Sequence, residues 1–267
     1  MFKRIYIQGD KMIGIDCNVK LSYSTAKKIK QDGYDFAMRY VGRYVMASHD
    51  IDIKEKNNIL MAGLDLGLVQ HCPGRPGIIP SKELGIEYGT NAREFSKQVE
   101  YDKDCIVYLD LEDVNHAYSK KQQLIYDFVN YWIDQVQKYY TPGVYIGFNN
   151  YMTSDQLYYK LKLKDYWRSF SWVPDVSVRG YAMCQSAHPA IHGISIDKNI
   201  VSPDKFGRTP NFMKGKAIFD PKEEIRDAAR NILVKELGLG FDYWDNIKYF
   251  DELLYKLGTL FDKWDKF

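Results

Sequence analysis

The stretch "CIVYLDLEDVN", Cys105–Asn115, decides the fold. Ile106, Val107, Tyr108 and Leu109 read as a buried strand, and Asp110, Glu112 and Asp113 follow at once. Carboxylates at the end of so apolar a strand are either a solvated strand end or the working edge of a site. Side chains at i and i+2 on a strand share a face, roughly 6.5–7 Å apart along the chain. Asp110 and Glu112 therefore point one way and Leu111 the other, while Asp113 reads as a loop acid.

Outward from this strand the segments alternate. "MIGIDC" (12–17), "FAMRYV" (36–41) and "LDLGLVQHC" (64–72) read as earlier strands, and "GVYIGFNN" (143–150), "WRSFSWV" (167–173), "YAMCQSA" (181–187) and "GISIDKNIV" (193–201) as later ones. Helical stretches lie between the early strands: 24–34 with Ser22 or Ser24 as cap, 54–63, 90–101 with Thr90 or Asn91 as cap, 119–140 and 153–164. After the sixth strand they fade to loops. Strand and helix in alternation predict βαβ units and a parallel sheet. Eight strands in this length predict an α/β fold, a (β/α)8-like TIM-type barrel with eroded last helices. No GxGxxG or GxxxxGK[ST] loop supports an open doubly wound sheet. The character changes after Pro210: helical periodicity without strands, opened by Asp220–Pro221, predicts a small C-terminal helical module at 211–267 beside a barrel at 1–210.

The chain has 267 residues and a net charge of +2, which gives no electrostatic case for nucleic acid or an acidic membrane. No segment is long and apolar enough for membrane insertion, and no apolar run after Met1 reads as a signal peptide. The four cysteines (17, 72, 105 and 184) form no CxxC pair and read as reduced, packed thiols.

In such a barrel the site lies at the C-terminal strand ends. Those ends carry Asp16, Asp110, Glu112 and Asp197 as candidate catalytic acids. Arg39, Gln70, Tyr145, Asn149, Trp172 and Gln185 lie beside them as candidate substrate-binding residues. Paired carboxylates on one face disfavour each other's ionisation, so one can hold a proton as a general acid. Glu112, nearer the mouth, is the candidate acid, with Asp110 orienting it. Asp16 and Asp197 would flank a sugar's anomeric carbon. No cofactor is read, and no metal is assigned. A metal-dependent hydrolase using these acids and His71 is one alternative, and a non-catalytic glycan-binding module on the same barrel is another.

"GID" in the first strand, "DLE" in the fourth, "GVYIG" in the fifth and "GISIDKN" in the eighth resemble family 25 glycoside hydrolases, the lysozyme-like muramidases of phages and bacteria. "GIDCN", "STAKKIKQDGYDFAMRY", "MAGL" and "LVQ" are similar still more closely to the related glycoside hydrolase-like domain. The resemblance spans about residues 12–205 and implies a barrel that cleaves the β-1,4 bond between N-acetylmuramic acid and N-acetylglucosamine. By position it makes Glu112 the general acid and Asp16, Asp110 and Asp197 its acidic set, with Tyr145 and Gln185 lining the cleft. Bacterial peptidoglycan is then the expected partner. A phage endolysin that waits in the host cytoplasm for a membrane pore is the expected setting. The C-terminal helices would bind the wall or form a homo-oligomer.

Overall fold

The computed structural model of the chain describes residues 11–216 apart from 72 and 75. The central strand quoted above is β4 (Ile106–Leu111), buried along its whole length. It is one of eight that close into a barrel in sequence order: β1 (Met12–Asp16), β2 (Phe36–Val41), β3 (Asp65–Gln70), β4, β5 (Thr141–Ile146), β6 (Asp165–Arg168), β7 (Met183–Ala187) and β8 (Asp197–Val201). Among the described residues five α-helices surround it: α1 (Tyr23–Gln31), α2 (Ile53–Met61), α3 (Lys82–Gln98), α4 (Gln122–Val136) and α5 (Ser154–Lys160). None is long and apolar enough to cross a membrane. This is the α/β barrel expected, and among the described residues no helix follows β6.

The sequence dictates where most helices begin. Ser22, Asp52 and Ser81 each accept a hydrogen bond from the backbone N–H three residues on. Thr153 forms a reciprocal capping box with Gln156. Ser22 is one of the two caps expected. α3 instead starts near Ser81, well before the Thr90 or Asn91 expected. Gly85 and Gly89 look like helix breakers but lie inside α3, where it crosses α4 closely. A Cβ on Gly89 would stand 2.6 Å from the Trp132 carbonyl oxygen, and one on Gly85 would collide with that of Phe128.

The sheet is not parallel throughout, which corrects the expectation. β8 runs antiparallel to both β7 and β1. Residues 188–196 alone join β7 to β8, and they include Pro189 and Gly193. A parallel crossover needs about a dozen residues or more, so this short link returns the chain as a hairpin.

Alternation along the strands sorts side chains into two cores. Phe36, Met38, Tyr108, Met183 and Val201 fill the barrel interior. Ile15, Leu68, Leu109 and Val144 face the helices. The floor is sealed by residues 211–213. Ile106 N–H donates to the Asn211 carbonyl (2.8 Å), Leu66 and Met213 exchange two backbone bonds (2.9 Å each), and Phe212 stacks on Phe36 at 4.5 Å. Residues 211–216 thus still pack with the barrel. The helical module expected in the rest of 211–267 lies outside the described residues. Cys17 and Cys105 are buried free thiols, whereas Cys184 is free and exposed, a departure from the packed thiol expected.

Because both α3 glycines meet backbone rather than movable side chains, Gly85→Val is expected to cost about 1–3 kcal/mol by overpacking. A lower urea midpoint with an unchanged slope would show it, and an unchanged midpoint would refute it.

Candidate functional site

The barrel is closed below and open above. The opening is a pocket of about 300 Å3 lined by Asp16, Tyr40, Asp110, Glu112, Tyr145, Trp167, Phe170, Gln185 and Asp197, among others. That volume is at the lower end of the roughly 300–1,000 Å3 of small-molecule sites. All four acids expected from the sequence meet here, contributed by β1, β4 and β8.

Asp197 reaches the mouth for a reason other than the one expected. It begins β8 rather than ending it, and reversal of that strand brings its first residue beside Asp16 at the end of β1. Asn199, two residues deeper on the same face, is fully buried and donates to Asp16 Oδ2 at 2.8 Å. Gln185 ties the wall together. Its Nε2 donates to Asp16 Oδ2 (2.9 Å) and Asp197 Oδ2 (3.3 Å), and its Oε1 accepts from the Tyr145 hydroxyl (2.8 Å). These bonds fix which end of the amide faces which partner.

Burial governs the electrostatics. Asp16 is 4% exposed, and burial lifts its carboxyl to about 6 against the pull of its two amide donors, with the neighbouring Asp197 adding to the rise. Burial also raises Asp197. The hydroxyls of Tyr40 and Tyr145 are pushed up by burial first and then by the surrounding carboxylates. Both phenols are therefore neutral donors at any physiological pH. Tyr145 meets Trp167 edge to face at 4.6 Å, making an aromatic wall. Glu112 lies just past β4, half-buried, against Gly147 at the end of β5; a Cβ there would occupy the space of the Glu112 side chain. Asp113 is exposed with φ of 49°, the loop acid expected.

Four expected binding residues lie elsewhere. Arg39 is 0% exposed and faces the helices, because the inward positions of β2 are Phe36, Met38 and Tyr40. It pairs with Glu55 (Nε–Oε1 2.6 Å) and donates to the carbonyls of Cys17 and His49, the latter at 2.8 Å. Gln70 likewise faces outward, donating to the carbonyls of Gly42 (3.0 Å) and Tyr88 (2.9 Å) and accepting from Trp132 Nε1 (2.8 Å). Asn149 sits in the turn after β5 with φ of 57° and does not line the pocket. Trp172 is 92% exposed beyond the pocket, because β6 ends at Arg168 rather than running to Val173. Tyr40, Trp167 and Phe170 line the mouth in their place.

Among the described residues no three His, Cys, Asp or Glu side chains are arranged to hold a metal ion. His71 lies against Tyr40, in a second pocket.

Residues 27–201 match the family model of the Rv2525c-like, glycoside hydrolase-like domain. The fold is similar to that of the Tat-secreted protein Rv2525c of Mycobacterium tuberculosis, crystallised with HEPES (TM-score 0.56, 16% identity, 74% of this chain and 97% of that one). It is also similar to an uncharacterized protein of B. stearothermophilus (TM-score 0.53, 13% identity, 72% and 96%). A family GH25 lysozyme from Aspergillus fumigatus aligns with a TM-score of 0.47 at 17% identity, over 72% and 94%. At these identities the likeness is one of fold. No curated protein sequence matches the chain.

The raised Asp16 carboxyl has a consequence for stability. The folded chain holds this proton more tightly than the unfolded chain, whose aspartate titrates near 3.8. The stabilisation from that proton is fully present below about pH 4 and is lost as pH rises through about 6. Asp16→Asn keeps an oxygen to accept from Gln185 and Asn199 but cannot titrate. Between pH 4 and 7 the unsubstituted chain should lose on the order of 1–3 kcal/mol more stability than the variant. Parallel pH profiles in urea unfolding would disprove the shift.

Proposed function

The chain belongs to the Rv2525c-like, glycoside hydrolase-like domain family, and on that premise we propose that its barrel mouth binds a glycan and is equipped to cleave it. The observation that carries this reading is the convergence of Asp16, Asp110, Glu112 and Asp197 on one open pocket walled by Tyr40, Tyr145, Trp167 and Phe170. Aromatic rings offer apolar faces to sugar C–H groups, and Tyr adds a polar tip. Carboxylates bind sugar hydroxyls and stabilise the positive charge of an oxocarbenium-like transition state.

In the finer form of the proposal the glycan is bacterial peptidoglycan and the reaction is that of a muramidase. Glu112, at the rim, gives its proton to the glycosidic oxygen as the bond to the anomeric carbon breaks. The buried Asp110 and Asp16 and the half-buried Asp197 face the positive charge that forms, and water completes hydrolysis by losing its proton to a carboxylate of the set. The resemblance of "GID", "DLE" and "GISIDKN" to the lysozyme-like muramidases supports this form. The stretch after residue 217 would serve as a wall-binding or oligomerising module, and the enzyme would reach the wall through a membrane pore.

Asp16 favours a second reading, binding without cleavage. Its Oδ2 accepts from both Gln185 and Asn199, as suits a fixed element of a binding wall. Glu112→Gln separates the two. Under the hydrolytic reading it abolishes release of reducing ends from purified peptidoglycan, a loss of at least about 100-fold, while sedimentation with the wall persists. If the unsubstituted chain sediments with walls and frees no reducing ends, the mouth binds only.

A further inference from the structure

Beside the acidic mouth lies a second pocket of opposite character. It occupies about 160 Å3 at the ends of β2 and β3, and Arg43, Tyr44, His49, Asp50 and His71 line it. Tyr40 links the two: it lines the mouth, and its ring packs on that of His71, which lines the second pocket, at 4.9 Å. His71 in turn meets His49 edge to face at 6.0 Å.

The pocket is built, not incidental. The loop that forms it, residues 42–50, is fastened at three carbonyls by side chains from the barrel and from α3. Gln70 donates to Gly42 O (3.0 Å), Asn91 to Arg43 O (2.6 Å) and Arg39 to His49 O (2.8 Å). Arg39 and Gln70 are fully buried, so neither is available to a ligand. Arg43 Nη1 donates to the His71 carbonyl (3.0 Å), which holds its guanidinium against the pocket. Asp50, the one acid among the described residues that line the pocket, is 3% exposed and accepts from Ala47 N–H (2.6 Å) at Oδ2, with His49 Nε2 3.7 Å from Oδ1. A guanidinium and two imidazoles thus face the space.

We propose that this pocket is a subsite for a carboxylate substituent on the glycan, such as the lactyl group of a muramic acid that carries no stem peptide, while the neutral sugar ring occupies the acidic mouth across Tyr40. This rests on the glycan reading of the mouth. Size agrees: about 160 Å3 is ample for a three-carbon acid. Charge agrees too, since four acids make the mouth a poor place for an anion and Arg43 makes its neighbour a good one. Burial, then Arg43 and His49, hold the His71 imidazole below its usual range. It therefore enters as a neutral donor, and a bound carboxylate would draw it back up.

The first measurement is an NMR titration of His49 and His71 with sodium lactate, with glycerol as the uncharged control. Saturable shifts at both rings, absent in Arg43→Gln, are expected. The second compares the affinities of a tetrasaccharide containing muramic acid and of chitotetraose, using the full chain with Glu112→Gln so that nothing is cleaved. The muramic acid glycan should bind about tenfold more tightly. Arg43→Gln should erase the preference, and Arg43→Lys, which keeps the charge, should retain part of it. A preference that survives Arg43→Gln, or rings silent to lactate, overturns the subsite. Rings that respond to lactate while neither tetrasaccharide binds support the anion pocket and overturn the glycan reading beneath it.

Discussion

Five residue pairs, from Met12 opposite Val201 to Asp16 opposite Asp197, close the barrel, and they do so with β8 running against both neighbours. The mouth depends on that reversal. A parallel β8 would carry Val201 to the top and Asp197 to the floor. Reversed, it delivers Asp197 and Asn199 to Asp16 and puts Val201 among the apolar residues of the interior. The same hairpin brings Gln185 within reach of both carboxylates. One wall of the site is thus a consequence of a connection too short to hold a helix.

A division of labour runs through the upper barrel. Inward side chains of the strand ends make the mouth. Outward polar ones, Arg39 and Gln70, are buried under the helices and hold loop carbonyls in place. Burying a guanidinium is costly unless it is paired, and Glu55 supplies the pairing while also accepting from Leu21 N–H at 2.8 Å. The loops after β1 and β2 are thereby fixed from beneath by polar groups that no ligand touches.

Much of this was legible in the sequence, and each miss has a physical cause. Asp110 and Glu112 declare their own parity, since a carboxylate pair at i and i+2 has one plausible side. In "FAMRYV" and "DLGLVQ" both faces are buried, so hydrophobicity does not alternate and nothing marks Arg39 or Gln70 as outward. Tyr40, one residue on, has the inward parity. Trp172 was misplaced because the aromatic run 167–173 looks like a strand throughout, although pairing stops at Arg168. The first half of α3 was not expected, and Gly85 and Gly89 within it serve a close approach to α4, a tertiary role that local pattern does not mark. The direction of β8 was readable: nine residues with Pro189 and Gly193 leave no room for a crossover helix.

The clamp on Asp16 also bears on how the site comes into being. Its two amide partners lie 169 and 183 positions further along the chain. Contacts of such separation are the slowest to form, because the loop entropy they require is lost before they contribute anything. A chain still emerging from the ribosome, or cut anywhere before β7, has β1 and its aspartate but no mouth. Closure of the barrel and assembly of the acidic set are therefore one event. A partly folded chain presents unpaired strand edges to its surroundings, but not the site.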